Sequence, residues 1–390
     1  MTRSGISLSF IVKGEVLLLT DEQARQTKQD SREGARPLAD EYDPFVRGQF
    51  PVGVRSVQAL DTARERLFPC EVWYPAAEQY VGQDIASATR DFFTIPPTDT
   101  TRSQTAVRNA AARPGIYPLI IFSHSSGGNR RQSTFLCTHL SSHGYLVAAL
   151  DHSEVVAAEL ARQRVESDAQ RAARQQAWMT NRVPDIRFLL DHLLDGATRD
   201  SQINIDPTRI GIVGHSFGGW TALAATEVER RLRAVVALAP GGSSQTKPGI
   251  LPAKLTFNWG RDVPTLYLVA ENDASLPLAG MYEMFKRTPA TKQMVVLRRA
   301  DHMHFMDNVE ELHEIVRTME WTGELAWLPK EMRPIAELTS GEQAHLFVRG
   351  LTVCHMDAIL REEEKARRFL DQDIEAQLAA RGVEVFVRKP

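Results

Sequence analysis

The stretch RIGIVGHSFGGW, residues 209–220, sets Ser216 between Gly214 and Gly218. A serine hydroxyl is a poor nucleophile until a base takes its proton and a third group orients that base. The G-x-S-x-G pattern supplies such a nucleophile where a strand runs into it and a helix leaves it, because the serine then stands on a strained turn. RIGIV precedes and WTALAATEV follows, so both conditions are met. The partners should follow in the order acid, then histidine, at the ends of later strands. After TLYLVA comes ENDASLP, and after QMVVL comes RRADHMHFMDN. Asp273 is the candidate acid; Glu271 lies closer to the strand end, and Asp262 precedes the strand, at the wrong end of the sheet. His302, first in its loop, is the candidate base, with His304 as the alternative. An acyl-transfer transition state also needs donors for its oxyanion. The backbone N–H of Phe217, directly after the serine, and that of Ser126, in the glycine-bearing loop of IIFSHSSGGNR, are the candidates. No acid is spaced to complete a metal motif around His302 and His304. His139 and His143 lack the glutamate of H-E-x-x-H, since position 140 is leucine, and read as a helix face and a helix end. Neither a metal nor an organic cofactor is expected.

These residues need a rigid frame. PLIIF (118–122), YLVAAL (145–150), RIGIV (209–213), RAVVAL (233–238), TLYLV (265–269) and QMVVL (293–297) are mostly continuously apolar, as strands buried on both faces of a parallel sheet are. Helix-compatible segments separate them. VPDIRFLLDHLLDG places Ile186, Leu189, Leu190 and Leu193 on one face, with Gly196 after it. Strands alternating with helices predict an α/β class, a doubly wound and mostly parallel sheet. VRSVQAL (54–60) and CEVWY (70–74) predict an antiparallel hairpin ahead of it. Residues 75–115 read as a long irregular surface insertion, and 151–180 as a solvated helix or a partial lid. The polar stretch 21–44 reads as an extension. The expected organisation is an N-terminal extension over 1–45 and a single domain over 46–390, with a helical segment over about 310–390.

Composition narrows the function classes. The chain has 390 residues, 43% of them hydrophobic, and a formal net charge of −3, which is not the basic footprint of a nucleic-acid binder. Three widely spaced cysteines give no disulfide framework. The N-terminal apolar stretch is broken by Lys13, Gly14 and Glu15, and no run approaches a membrane span. A cytoplasmic protein without integral membrane association is expected. Nothing in the pattern predicts an oligomeric state.

YPLIIFSHSSGG, LSSHGYLVAALDH, INIDPTRIGIVGHSFGG and RRADHMHFMDN together resemble the platelet-activating-factor acetylhydrolase and dienelactone-hydrolase-like branch of the α/β-hydrolases, and FPCEVWYP resembles its early strand. The resemblance covers roughly residues 50–310. It implies an α/β-hydrolase fold, with the nucleophile at Ser216, the histidine at His302, three residues before a phenylalanine, and the oxyanion amides at Ser126 and Phe217. Acetylhydrolases of this group carry their acid after the strand that follows the elbow. Here that place reads ALAPGG, without a carboxylate, so the acid comes from the next strand, at Asp273. Ser125 replaces the first glycine of the usual oxyanion loop, and position 216 is serine where dienelactone hydrolases use cysteine. The expectation is a serine hydrolase acting on small carboxylic esters. An amidase or other acyl transfer on the same residues, and a non-catalytic binder on a hydrolase scaffold, remain open.

Overall fold

The apolar runs become the middle of one ten-stranded sheet. The computed structural model describes residues 42–95, 100–162, 166–195 and 203–389. Its strands are β1 (Val52–Asp61), β2 (Arg66–Pro75), β3 (Asp91–Ile95), β4 (Thr100–Gln104), β5 (Val107–Arg108), β6 (Gly115–Ser123), β7 (Leu146–Leu150), β8 (Ile203–His215), β9 (Leu232–Leu238), β10 (Thr265–Ala270), β11 (Lys292–Leu297) and β12 (Val385–Arg388). The sheet order is β12-β11-β10-β9-β8-β6-β7-β2-β1-β5. From β11 to β7 all neighbours are parallel. The hairpin β1–β2 is antiparallel and joins β7 antiparallel.

The parallel strands are apolar throughout because both faces are covered. Leu119 and Ile121 of β6 join a core with Ile186, Leu189, Leu190 and Leu193, the helix face read from the sequence. Ile120 and Phe122, pointing the other way, are equally buried. The principal helices are α1 (Thr134–Ser142), α2 (Asp168–Leu194), α3 (Phe217–Val228), α4 (Leu278–Arg287), α5 (Val309–Thr318) and α6 (Gly341–Leu360). Met356 of α6 lies where a side chain on Gly211 of β8 would point, which places α6 over the second face.

Two segments differ from expectation. Residues 75–115 are not irregular: β3 and β4 pair antiparallel, and Asp91 and Phe93 alternate with the exposed Phe92. The C-terminal segment is not helical throughout, because Val385–Arg388 adds β12 antiparallel to β11. Its four residues are too short a signal to stand out beside the helices that precede it. Helix α2 runs 27 residues and passes through Pro184. Its start is fixed by Ser167, whose hydroxyl accepts the Gln170 N–H while the Gln170 side chain accepts from Ser167 N. Gly196 and the extension up to residue 41 lie outside the described residues.

The joint between β8 and α3 leaves no room for side chains at its glycines. A Cβ on Gly214 would lie 2.0 Å from the Gly218 oxygen, and one on Gly218 would lie 1.9 Å from the Ser123 oxygen. Both partners are backbone and cannot swing aside. Gly218→Ala is therefore expected to destabilise the protein by about 1–3 kcal/mol, read as a lowered midpoint in urea unfolding. An unchanged midpoint would contradict this close approach.

Candidate active site

Ser216 sits in the β8–α3 turn with φ 58° and ψ −116°. A non-glycine residue there is strained. The turn is over-determined: the Ser216 N–H donates to Leu238 O (2.9 Å), and the Ser216 carbonyl accepts from Trp220 N (3.0 Å) and Gly241 N (2.9 Å). The side chain is held at the surface of the turn, partly exposed.

His302 lies at the start of a short turn after β11, and Asp273 in the loop after β10. The His302 Nε2 is 2.9 Å from Ser216 Oγ, and its Nδ1 is 2.7 Å from Asp273 Oδ2. The other carboxylate oxygen of Asp273 accepts the Leu276 N–H at 2.7 Å, which fixes its plane. Glu271 instead accepts the Arg299 N–H, and Asp262 is occupied by Thr291 beyond the opposite end of β10. His304 is buried at 0% exposure between Asp301 and Thr339 O, with its Nδ1 accepting the Asp301 N–H. Burial pushes its pKa down to about 4. Of the two histidines, only His302 meets Ser216. Its own pKa is raised: burial opposes the charged form, but the charge and hydrogen bond of Asp273, with the charge of Asp301, outweigh it. Burial and the Asp273 charge push Asp301 to about 6.

The oxyanion candidates sit on adjoining segments. Phe217 is the first residue of α3, so its N–H has no intrahelical acceptor. In the loop after β6, Gln132 Oε1 accepts both the N–H (2.9 Å) and the hydroxyl (2.6 Å) of Ser125, and Gln132 Nε2 donates to His215 Nδ1 (3.0 Å). Ser125, the departure from glycine, is thus spent inside the loop, and the next amide is that of Ser126. Asp307 joins this loop to the histidine loop by accepting from Thr134 N and Phe135 N at the start of α1.

Sequence reasoning missed Arg182. This fully buried guanidinium reaches across from α2. It donates to His124 O (2.7 Å) and Ser125 O (3.2 Å), pairs with Glu154, and lies 4.3 Å over the Phe217 ring. One cation therefore grips both segments that carry the oxyanion candidates. Its signal was a charged residue, beside Asp185, on the buried and mainly apolar face of α2, which periodicity alone does not single out.

The same cluster holds a second Ser, His and Asp in line. Ser123 Oγ is 2.9 Å from His152 Nε2, and His152 Nδ1 is 3.1 Å from Asp185 Oδ2. Distance does not distinguish the two sets; access does. Ser123 and Asp185 have 0% exposure and His152 has 1%, and burial drives the His152 pKa well down. Asp185 also accepts from Arg64 and from Ser153, so it is a structural anchor. Among the described residues no group of three or more His, Cys, Asp or Glu could hold a metal ion, and no helix is long and apolar enough to cross a membrane. The three cysteines are free and buried. His139 and His143 bond Pro44 O and Val46 O, a helix face and end used to hold the incoming chain.

The family described as PET hydrolase-like matches residues 128–328, and the family described as platelet-activating factor acetylhydrolase, isoform II, matches residues 44–190. Similar proteins include the platelet-activating factor acetylhydrolase of Gallus gallus, 24% identical over 250 residues that cover 52% of this chain and 56% of that one. Cutinase est1 of Thermobifida alba is 25% identical over 196 residues, 50% of this chain and 55% of that one. The chain thus spans about half the length of the curated relatives it matches. The solved structure of a ferulic acid esterase from Streptomyces cinnamoneus superposes with a TM-score of 0.60 at 25% identity, covering 87% of this chain and 97% of that one.

Because the charge and hydrogen bond of Asp273 raise the His302 pKa above 6.5, Asp273→Asn is expected to lower it. NMR titration of the His302 ring measures this directly: a midpoint above 6.5 in the parent should fall in the variant. An unmoved midpoint would mean that the carboxylate does not govern this imidazole.

Proposed function

Because the chain belongs to the PET hydrolase-like family of α/β-hydrolases, we propose that it hydrolyses carboxylic esters of small molecules through an acyl-enzyme on Ser216. The observation that carries this assignment is the unbroken hydrogen-bonded line from Asp273 through His302 to Ser216. Neutral His302 accepts the Ser216 proton through Nε2 while the serine oxygen attacks the ester carbonyl. Asp273 holds the other ring nitrogen as the donor and stabilises the imidazolium that forms. The carbonyl oxygen, now negative, lies against the N–H groups of Ser126 and Phe217. His302 returns the proton to the leaving alcohol. Water then attacks the acyl carbonyl as His302 takes its proton, and His302 returns that proton to Ser216 Oγ as the bond to the serine breaks and the acid leaves. Every step uses side chains and amides of the protein.

The catalytic unit is taken as the domain over 46–390, in the cytoplasm. The acetylhydrolase, cutinase and feruloyl esterase relatives act on different esters, so the proposal stops at the ester class. Leaving-group choice is set by pocket shape rather than by the catalytic residues.

Ser216→Ala should lower turnover of p-nitrophenyl butyrate by about 10⁴-fold or more with the near-UV circular dichroism unchanged. Parental turnover in that variant would sink the proposal. Arg182→Lys keeps the charge near Glu154 but loses the planar fork that spans His124 O and Ser125 O. It is expected to lower kcat by about 10- to 100-fold with little change in KM. A change confined to KM would mean that Arg182 does not position the oxyanion segments.

A further inference from the structure

A cavity of about 660 Å³ lies beside the site, walled by the β3–β4 hairpin, α1, α5 and α6. Gly127–Asn129 on its wall continue the Ser126 loop, and Met306–Asn308 follow the His302 turn. Its volume is in the range of small-molecule sites. Part of the lining is apolar: Phe93, Phe135, Leu312, and Ile85 and Ile315, which are 55% and 49% exposed. Large aliphatic side chains left to water on the wall of a cavity mark a surface shaped to cover something apolar.

The charged part of the lining is unbalanced. Arg131 is matched by Glu71 (2.9 Å) and Arg102 by Glu311 (2.6 Å). Arg47 shares Asp84 and Thr105. Among the described residues no carboxylate pairs with Arg349, and its Nε is buried without a hydrogen-bond partner. Burial lowers its pKa, Glu342 on its own helix opposes this, and the neighbouring charge of Arg47 adds to it. A guanidinium does not escape by losing its proton. Arg349 is half-buried; a charge partly drawn out of water without a partner is unfavourable, and an oxyanion accepting two parallel N–H bonds would relieve it. The remaining acid on the wall, Asp307, is already taken up by Thr134 and Phe135.

We propose that this cavity binds an anionic amphiphile, its oxyanion head on Arg349 and its apolar body against Phe93, Phe135, Leu312 and Ile315. A carboxylate and a phosphate monoester share the head-group chemistry. The site is distinct from Ser216 and does not rest on the esterase assignment.

Titration calorimetry on the Ser216→Ala protein, which removes any turnover, tests it. Decanoate should bind at one site per chain, and at least about tenfold more weakly to Ser216→Ala carrying Arg349→Leu. Arg349 has no carboxylate to leave behind, so that variant should keep the parental thermal midpoint. Leu312→Glu, which puts a negative charge on the apolar wall, should weaken decanoate similarly, and decanol should not saturate. Decyl phosphate binding with the same dependence on Arg349 supports the proposal and names the preferred head by its affinity. Equal decanoate affinity in the parent and both variants, or equal affinity for decanoate and decanol, would overturn it, as would the absence of saturable binding of either anion.

Discussion

The site depends on how closely two stretches of backbone approach at Gly218. A Cβ there would lie 1.9 Å from the carbonyl oxygen of Ser123 and 2.7 Å from that of His124. This contact clamps the end of β6 against the first turn of α3. Two consequences follow from one approach. The Ser126 loop is brought beside the N-terminus of α3, where the Phe217 amide has no acceptor of its own. The chain between β8 and α3 is also left so little room that Ser216 takes a positive φ of 58°. Strain at a residue is kept only where its surroundings impose it. Here the carbonyl and amide of Ser216 are fixed by Leu238, Trp220 and Gly241.

Charge then holds what the backbone has brought together. Arg182 binds the carbonyls of one loop and covers the aromatic ring of the other. Gln132 ties that loop to His215, and Asp307 ties it to the histidine loop. Each bond is modest in water, but in a buried network polar partners count for more and leaving one unmatched is costly. The buried Ser123, His152 and Asp185 make the same point from the opposite side. Residue types and distances like those at Ser216 produce a brace rather than a reactive centre when the serine has no access to solvent. The chemistry proposed at Ser216 therefore rests on exposure and backbone strain as much as on the hydrogen-bonded line.

The parts of the fold that could be read in the sequence are those whose signal is local. The runs around 118–122, 209–213 and 265–269 are apolar because both faces of their strands are covered, and they fall within β6, β8 and β10. The loop ends of those strands carry Ser126, Ser216 and Asp273, so strand order and spacing were enough to nominate them. His302 was nominated over His304 by its place in the loop and its spacing to Phe305, and the geometry gives the physical reason: two residues apart on a tight turn, one imidazole meets Ser216 and the other Thr339. Arg182 is invisible to periodicity because the loop carbonyls, Glu154 and the Phe217 ring that it meets are brought to it by other elements of the fold. The β3–β4 hairpin was obscured by polar residues such as Thr100, Thr101 and Ser103, whose strand pairing depends on the neighbour rather than on their own preference. The ring of Pro184 is accommodated within α2, where Asp185 and Ile186 beyond it are anchored in the core.

The central claim is that one oxygen, Ser216 Oγ, is acylated and deacylated by the imidazole beside it. Mass spectrometry of protein quenched during p-nitrophenyl butyrate turnover, followed by peptide mapping, tests that claim most directly. The account predicts a single butyryl group per chain on the peptide containing Ser216, and its loss when His302 is replaced, because acylation needs the same imidazole as deacylation. Acylation at another residue, Ser123 included, or turnover with no acyl group trapped under any quench, would contradict it.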